Sequence, residues 1–272
     1  MKTHDGLKLH TTSWTTLQAK ADILLAHGFF EHCERYSAEA RFLNEAGYSV
    51  YSYDQRTHGR SEGKRRSFVK VFNNYSKDYK HFYKQLNLGK ERPYFLFAHS
   101  MGGLVQLTHL LNNPISDSNF RGALFSAPLI MPDKDTAPFL QKISGLIGTL
   151  LPTLKVVKID SSAISRDPQE IQKYNQDPLV YSDKMYASSA YQLIKQMKHI
   201  RPQLSKISCP LLIMHGTDDK LAEIEGSRFL YAEASSEDKE LKEFQDFKHE
   251  ITRDIGKEKV LGYLKNWMDE RI

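Results

Sequence analysis

Short, nearly unbroken apolar runs recur along this chain, most of them separated by stretches of helical periodicity. Ala21-Asp22-Ile23-Leu24-Leu25-Ala26-His27 is the first, ending at Gly28. Residues 48–54, 93–98, 122–126 and 210–215 repeat the pattern, and 241–247 reads as a further strand. A strand that is apolar at successive positions is buried on both faces, as in a parallel sheet covered by helices on each side. Between these runs, 35–47 places Tyr36, Ala40, Leu43 and Ala46 on one side and stops at Gly47. Residues 69–88 and 104–111 also read as helices. Near the end, Val260, Leu261, Tyr263, Leu264, Trp267 and Met268 recur at helix spacing, giving a terminal helix with one buried face. The expected fold class is α/β, a mostly parallel central sheet flanked by helices.

The alternation stops between about residues 129 and 205, where helical patterns occur without a convincing strand, and resumes at Cys209-Pro210. The expected organisation is a core from 1–128 and 206–272, interrupted by a helical cap or lid at 129–205. Within that insertion Phe139, Leu140, Ile143, Leu146, Ile147, Leu150 and Leu151 fall on one broad helical face, which Gly145 and Gly148 weaken.

Composition narrows the function. The net charge of +5 over 272 residues is mild, and the basic residues are dispersed apart from Lys64-Arg65-Arg66, so no nucleic-acid stripe is expected. No stretch approaches the roughly 18 apolar residues of a membrane span. The amino terminus lacks the apolar run of a secretory signal, so a cytoplasmic protein is expected. The two cysteines, Cys33 and Cys209, imply neither a disulfide framework nor a C-x-x-C site.

The most informative stretch is Pro93-Tyr94-Phe95-Leu96-Phe97-Ala98-His99-Ser100-Met101-Gly102-Gly103. An apolar strand runs through A-H-S-M-G directly into a helix. This is the context of a nucleophile elbow, a tight strand-to-helix turn that lifts a serine hydroxyl above the sheet. Positions two before and two after the serine must be small because neighbouring backbone passes close, and Ala98 and Gly102 fill them. The helix start also sets N–H groups and a positive dipole end beside Ser100. Small-x-Ser-x-small is weak alone; the flanking strand and helix give it weight.

A nucleophilic serine needs a base. In sheets of this kind the partners follow in the order serine, acid, histidine. Beyond the strand ending at His215, His249 is the one remaining histidine, on a loop at a strand's carboxyl end. The acid belongs on the loop after the preceding strand, where Thr217-Asp218-Asp219 offers two candidates. Either Asp219 is the acid, or Asp218 is the acid and Asp219 caps the next helix.

With these pieces the chain resembles the monoacylglycerol lipase and lysophospholipase group of α/β-hydrolases over nearly its whole length. His27-Gly28-Phe29-Phe30-Glu31-His32, followed by Arg35-Tyr36, resembles the group's H-G-x-x-E-H segment. Residues 54–63 resemble its D-x-x-G-H-G-x-S-x-G turn, with Thr57 in place of the usual glycine. Ser100-Met101-Gly102-Gly103 matches its elbow, with Ala98 replacing a glycine, and Ser126-Ala127-Pro128 matches the strand end before its cap. His215-Gly216-Thr217-Asp218-Asp219 matches its G-x-x-D, which favours Asp219, and Lys248-His249-Glu250 stands where the group has its catalytic histidine.

The resemblance implies an α/β-hydrolase fold and ester hydrolysis through an acyl-enzyme. Ser100 is the expected nucleophile, His249 the base and Asp219 the orienting acid, with the backbone N–H groups of Phe29 and Met101 as oxyanion donors. His27 is expected to anchor its turn, and Cys33 to be a buried, inert thiol. No metal or organic cofactor is expected. The implied substrate is a single-chain lipid ester, a monoacylglycerol or lysophospholipid. Phe139, Ile143, Leu146, Ile147 and Leu150 are the expected substrate-binding residues, lining an acyl channel or touching a membrane surface; packing of the cap onto the core is the alternative. A short-chain carboxylesterase, thioesterase or acyltransferase would use the same triad. Ser100 argues against dehalogenases and epoxide hydrolases, which carry aspartate at the elbow. A non-catalytic binding protein on this fold is the rival of another class, although such proteins commonly lose a triad member.

Overall fold

The computed structural model describes residues 1–132 and 146–272. In chain order its strands are β1 (Thr11–Trp14), β2 (Ala21–Ala26), β3 (Tyr48–Tyr53), β4 (Tyr94–His99), β5 (Phe120–Ser126), β6 (Lys155–Val157), β7 (Met185–Tyr186), β8 (Leu211–Gly216) and β9 (Lys239–Phe244). Among the described residues, seven of them form one sheet in the order β1-β3-β2-β4-β5-β8-β9. β1 lies antiparallel to β3, and every other pairing in that sheet is parallel.

Alternate side chains of the central strands feed two apolar layers. Ile23, Leu25, Val50, Phe95, Phe97, Leu124, Leu212 and Met214 pack beneath helices α1 (Ser37–Glu45) and α8 (Lys257–Asp269). Leu24, Ala26, Leu96, Ala98, Phe125 and Ile213 pack beneath α2 (Asn73–Leu86), α3 (Met101–Asn112), α6 (Ala187–Ile200) and α7 (Ile224–Glu233). The two layers explain why the inner strands read as continuous apolar runs. The edge strand β9, Lys-Glu-Leu-Lys-Glu-Phe, is half-buried and carries the charges that keep a sheet edge from pairing with other chains.

The chain leaves the sheet at Ser126 and returns at Leu211, passing through α4 (Leu146–Leu150), β6, α5 (Pro168–Gln176), β7 and α6. This excursion is not purely helical, since β6 and β7 form a small antiparallel pair. Two or three residues per strand are too few to show a period-two pattern in sequence. Leu193, Ile194, Met197 and Ile200 of α6 join the core layer over α3.

The position of the site follows from the strand order. From β2 the chain steps to β3 on one side and then to β4 on the other. That reversal opens a crevice beyond the carboxyl ends of β2 and β4, where open α/β sheets bind their ligands. Gly28 follows β2 and Ser100 follows β4 at this crevice.

Candidate active site

Ser100 sits in the turn between β4 and α3 with φ 52° and ψ −119°, a region that non-glycine residues avoid. The surroundings fix it there. Its N–H donates to the Ser126 carbonyl at 3.1 Å, and its own carbonyl accepts from Gly103 N–H at 2.9 Å and Leu129 N–H at 3.0 Å. A Cβ at Gly102 would stand 2.6 Å from the His27 carbonyl oxygen and nearer still to that of Ala26. Gly102→Ala should therefore push α3 off β2 at a cost of about 3 kcal/mol. A melting temperature equal to the parent's would show that this close approach is not required.

Each triad candidate is carried to this point by a strand end. His249 lies beyond β9 and Asp219 beyond β8. His249 Nδ1 is 2.6 Å from Asp219 Oδ2, and His249 Nε2 is 2.9 Å from Ser100 Oγ. With Nδ1–H donated to the carboxylate, Nε2 is free to accept the serine proton. Asp219 Oδ1 accepts from the N–H groups of Leu221 and Ala222 at 2.8 and 3.0 Å. Burial opposes the Asp219 charge, yet the His249 and His215 imidazoles outweigh it and hold this carboxyl far below the usual range. Burial likewise opposes charge on His249, but Asp219 wins and raises its pKa. Asp218 is half exposed and pairs with Lys220 at 3.3 Å.

Two further histidines complete the setting. His215 Nε2 lies 3.0 Å from Asp219 Oδ2, and its Nδ1 lies 2.6 Å from Ser227 Oγ. The serine thus donates to Nδ1, leaving the Nε2 proton to point at the acid. In the sequence His215 reads as a strand end, and its place four residues before Asp219 is the one signal of this contact. His99 packs against His249 with ring centroids 4.7 Å apart and planes tilted by 54°, and is pushed down to about 4 by burial and by that neighbour, so it stays neutral.

On the β2 side, His27 Nδ1 bonds the Gly28 carbonyl at 2.7 Å and its Nε2 accepts from Gln55 N–H at 2.8 Å, an anchor for the turn. Phe29 lines the same cavity as Ser100. Among the described residues neither Phe29 N–H nor Met101 N–H has a backbone partner, so both are available to an oxyanion. Cys33 is fully buried, and burial together with nearby Asp54 pushes its thiol far above the ordinary range; it does not line the cavity.

A buried charge network joins the β2 loop to the His249 loop. Glu31 Oε1 accepts from Gly28 N–H at 2.6 Å and from the Tyr36 hydroxyl at 2.7 Å. Arg35 binds Glu31 at 2.7 Å and grips Glu250 with two bonds of 2.6 and 2.8 Å. Arg253 lies 3.4 Å from Glu250 and 3.0 Å from Glu39, its guanidinium 4.1 Å over the Tyr36 ring. The Glu250 N–H donates to the Ile164 carbonyl at 2.8 Å, tying the same loop to the stretch between β5 and β8.

Ser100 and His249 open on a cavity of about 430 Å³ whose walls are largely apolar, among them Leu129, Val157, Ile164, Leu193, Ile194 and Met197. Of the expected substrate-binding residues, Phe139 and Ile143 and the Leu146 side chain lie outside the described residues. Ile147 and Leu150 are described, and neither lines the cavity; Leu150 is 66% exposed. Among the described residues the apolar wall comes from β6, the turn after it, and α6, whose inner face continues from the core up to the site.

The model of the serine aminopeptidase S33 family matches residues 18–256. The monoglyceride lipase of Rattus norvegicus is 29% identical over 98% of this chain and 89% of its own length. A monoglyceride lipase homolog of Monkeypox virus is 30% identical over 93% of this chain and 91% of its own. The crystal structure of Paleococcus ferrophilus monoacylglycerol lipase superposes with a TM-score of 0.86 at 28% identity, covering 97% of this chain and all of that one. The chain belongs to the serine aminopeptidase S33 family of α/β-hydrolases, within its monoacylglycerol lipase group.

Proposed function

We propose that Ser100, His249 and Asp219 form a catalytic triad that hydrolyses the ester of a single-chain lipid, a monoacylglycerol or a close relative of one. The observation that carries this reading is an unbroken chain of hydrogen bonds, Ser100 to His249 to Asp219, opening on a largely apolar cavity. His249 Nε2 takes the serine proton as Oγ attacks the ester carbonyl, and Asp219 steadies the imidazolium. The oxyanion is met by the Phe29 and Met101 N–H groups. The imidazolium then protonates the departing alcohol, and water repeats the sequence to release the acid.

The described part of the excursion, 129–132 and 146–205, acts as a cap over this cavity. Leu150, Leu151 and Leu154 are exposed in and just after α4, next to Lys155, a combination suited to resting on a lipid surface. No helix among the described residues is long and apolar enough to cross a membrane, so such contact is peripheral.

The test is a chain-length series of monoacylglycerols and aryl esters. The expected result is kcat/KM rising with acyl length until the apolar wall is filled. Each buried methylene contributes about 0.8 kcal/mol, or roughly fourfold. A flat series confined to short esters would replace the lipid substrate with a small one while keeping the triad.

A further inference from the structure

We propose that His10, Cys33 and Asp54 form a binding site for a divalent transition-metal cation of the zinc class, apart from the catalytic cavity. A ring nitrogen of His10, the Cys33 Sγ and a carboxylate oxygen of Asp54 lie within 4.8 Å of one another. The backbone brings them there. Asp54 N–H donates to the His10 carbonyl at 2.9 Å, and Cys33 N–H donates to Asp54 Oδ1 at 2.8 Å. Three segments, just before β1, after β2 and after β3, therefore meet at one point. None of the three residues lines the cavity at Ser100, so the cation would serve as a structural tie behind the loop that carries Phe29.

The donor set selects the ligand. Thiolate, imidazole and carboxylate together suit zinc, whereas calcium and magnesium take oxygen alone. The donors have capacity to spare. Each Asp54 oxygen accepts one backbone N–H, from Cys33 and from Arg60 at 2.7 Å, which leaves a lone pair on each. Such N–H contacts orient a metal-binding carboxylate from its outer side. His10 Nε2 has only long contacts, Thr12 Oγ1 at 3.2 Å and Glu34 Oε1 at 3.4 Å, and Glu34 offers a fourth donor. The His10 and Glu34 side chains are 30% and 35% exposed, so the cation has a way in and these two can draw inward. That matters because donors in a tetrahedral zinc site stand only about 3.5 Å apart. Charge also balances. Arg60 already neutralises Glu34, so Asp54 and a Cys33 thiolate leave two negative charges for one divalent ion. Burial and the Asp54 charge push the free thiol far above its ordinary range. A cation offsets that charge, and the thiol proton leaves to solvent as the metal–sulfur bond forms.

The experiment titrates Zn²⁺ into the chelator-stripped full chain by calorimetry and records the spectrum of the Co²⁺-loaded protein, with Cys33→Ser and His10→Asn alongside. The parent should bind one Zn²⁺ per chain and release about one proton, seen as a heat that changes with the buffer's ionisation enthalpy. Co²⁺ should give a thiolate-to-metal charge-transfer band in the near ultraviolet, and added Zn²⁺ should raise the melting temperature. Cys33→Ser should remove the band and weaken binding by more than about 100-fold, since even the outer contacts of a metal site are worth 10- to 100-fold. His10→Asn should weaken binding comparably, and its half-exposed position keeps the test available if the buried serine disturbs folding. Zn²⁺ bound equally by parent and variants, with no thiolate band, would assign the ion to exposed histidines such as His4 and overturn the site. So would a parent that binds no Zn²⁺. Neither outcome touches the triad reading.

Discussion

Ser100→Ala should abolish ester turnover, with a loss on the order of 10⁶-fold in kcat and an unchanged melting curve. Asp219→Asn should cost about 10⁴-fold, because the amide can present its NH₂ to Nδ1 and leave the imidazole in the wrong tautomer. The pH profile separates these groups further. Protonated His249 cannot accept the serine proton, so kcat/KM falls as pH drops through its pKa, which Asp219 raises above the ordinary 6.5. Facing this ring are Asp219 from the loop after β8, His99 from the end of β4, Glu31 from the loop after β2 and its own neighbour Glu250. His99, held at about 4, takes up its proton well below that limb and leaves it a single titration. In residual activity, Asp219→Asn should move the limb to lower pH. A limb that stays in place would show that another group titrates.

Arg35→Ala should be the most damaging change outside the triad. It strips Glu250 of two short charged bonds and Glu31 of one, leaving Arg253, 3.4 and 3.5 Å away, as the one cation paired with these two buried carboxylates among the described residues. Removing one partner of a buried ion pair costs about 3–5 kcal/mol, and for a chain of this size that lowers the melting temperature by about 10 °C. Arg35→Met combined with Glu250→Gln should recover most of the loss, since the charge and its partner leave together. A single variant that melts with the parent would mean that solvent reaches these carboxylates. Glu250→Gln alone should also shift the acid limb downward, because the Glu250 charge supports the imidazolium.

How much of this could be read in the sequence depended on how local each feature is. The nucleophile turn was legible because strand, small residues and helix are consecutive from Pro93 to Gly103. His249 was legible because chain order left one histidine, and Asp219 because of its spacing from His215-Gly216. The Glu31–Arg35–Glu250–Arg253 network was not, since its halves lie more than 200 residues apart and meet only when the sheet closes. The bounds of α7, the helix expected after Asp219, were not legible because it buries only Gly226, Ser227 and Leu230, a stripe too small to impose a visible period. The apolar face of 139–151 drew attention as a substrate wall through its hydrophobicity. Hydrophobicity alone does not distinguish a wall from a surface; of that face Leu150 and Leu151 are exposed, and 139–145 lie outside the described residues.

The pairing of β5 with β8 sets the order in which this molecule can come into being on the ribosome. Ala123 to Ser126 lie against Leu211 to Met214, with the whole excursion between them. Until β8 has emerged, the apolar strand β5 is an open edge, and such an edge invites association with other chains. Pairing across so long a separation is also slow relative to local structure. The same late strands bring Asp219 and His249, the proposed acid and base. A nascent chain therefore displays Ser100 long before Asp219 and His249, its partners in the proposed triad, can reach it.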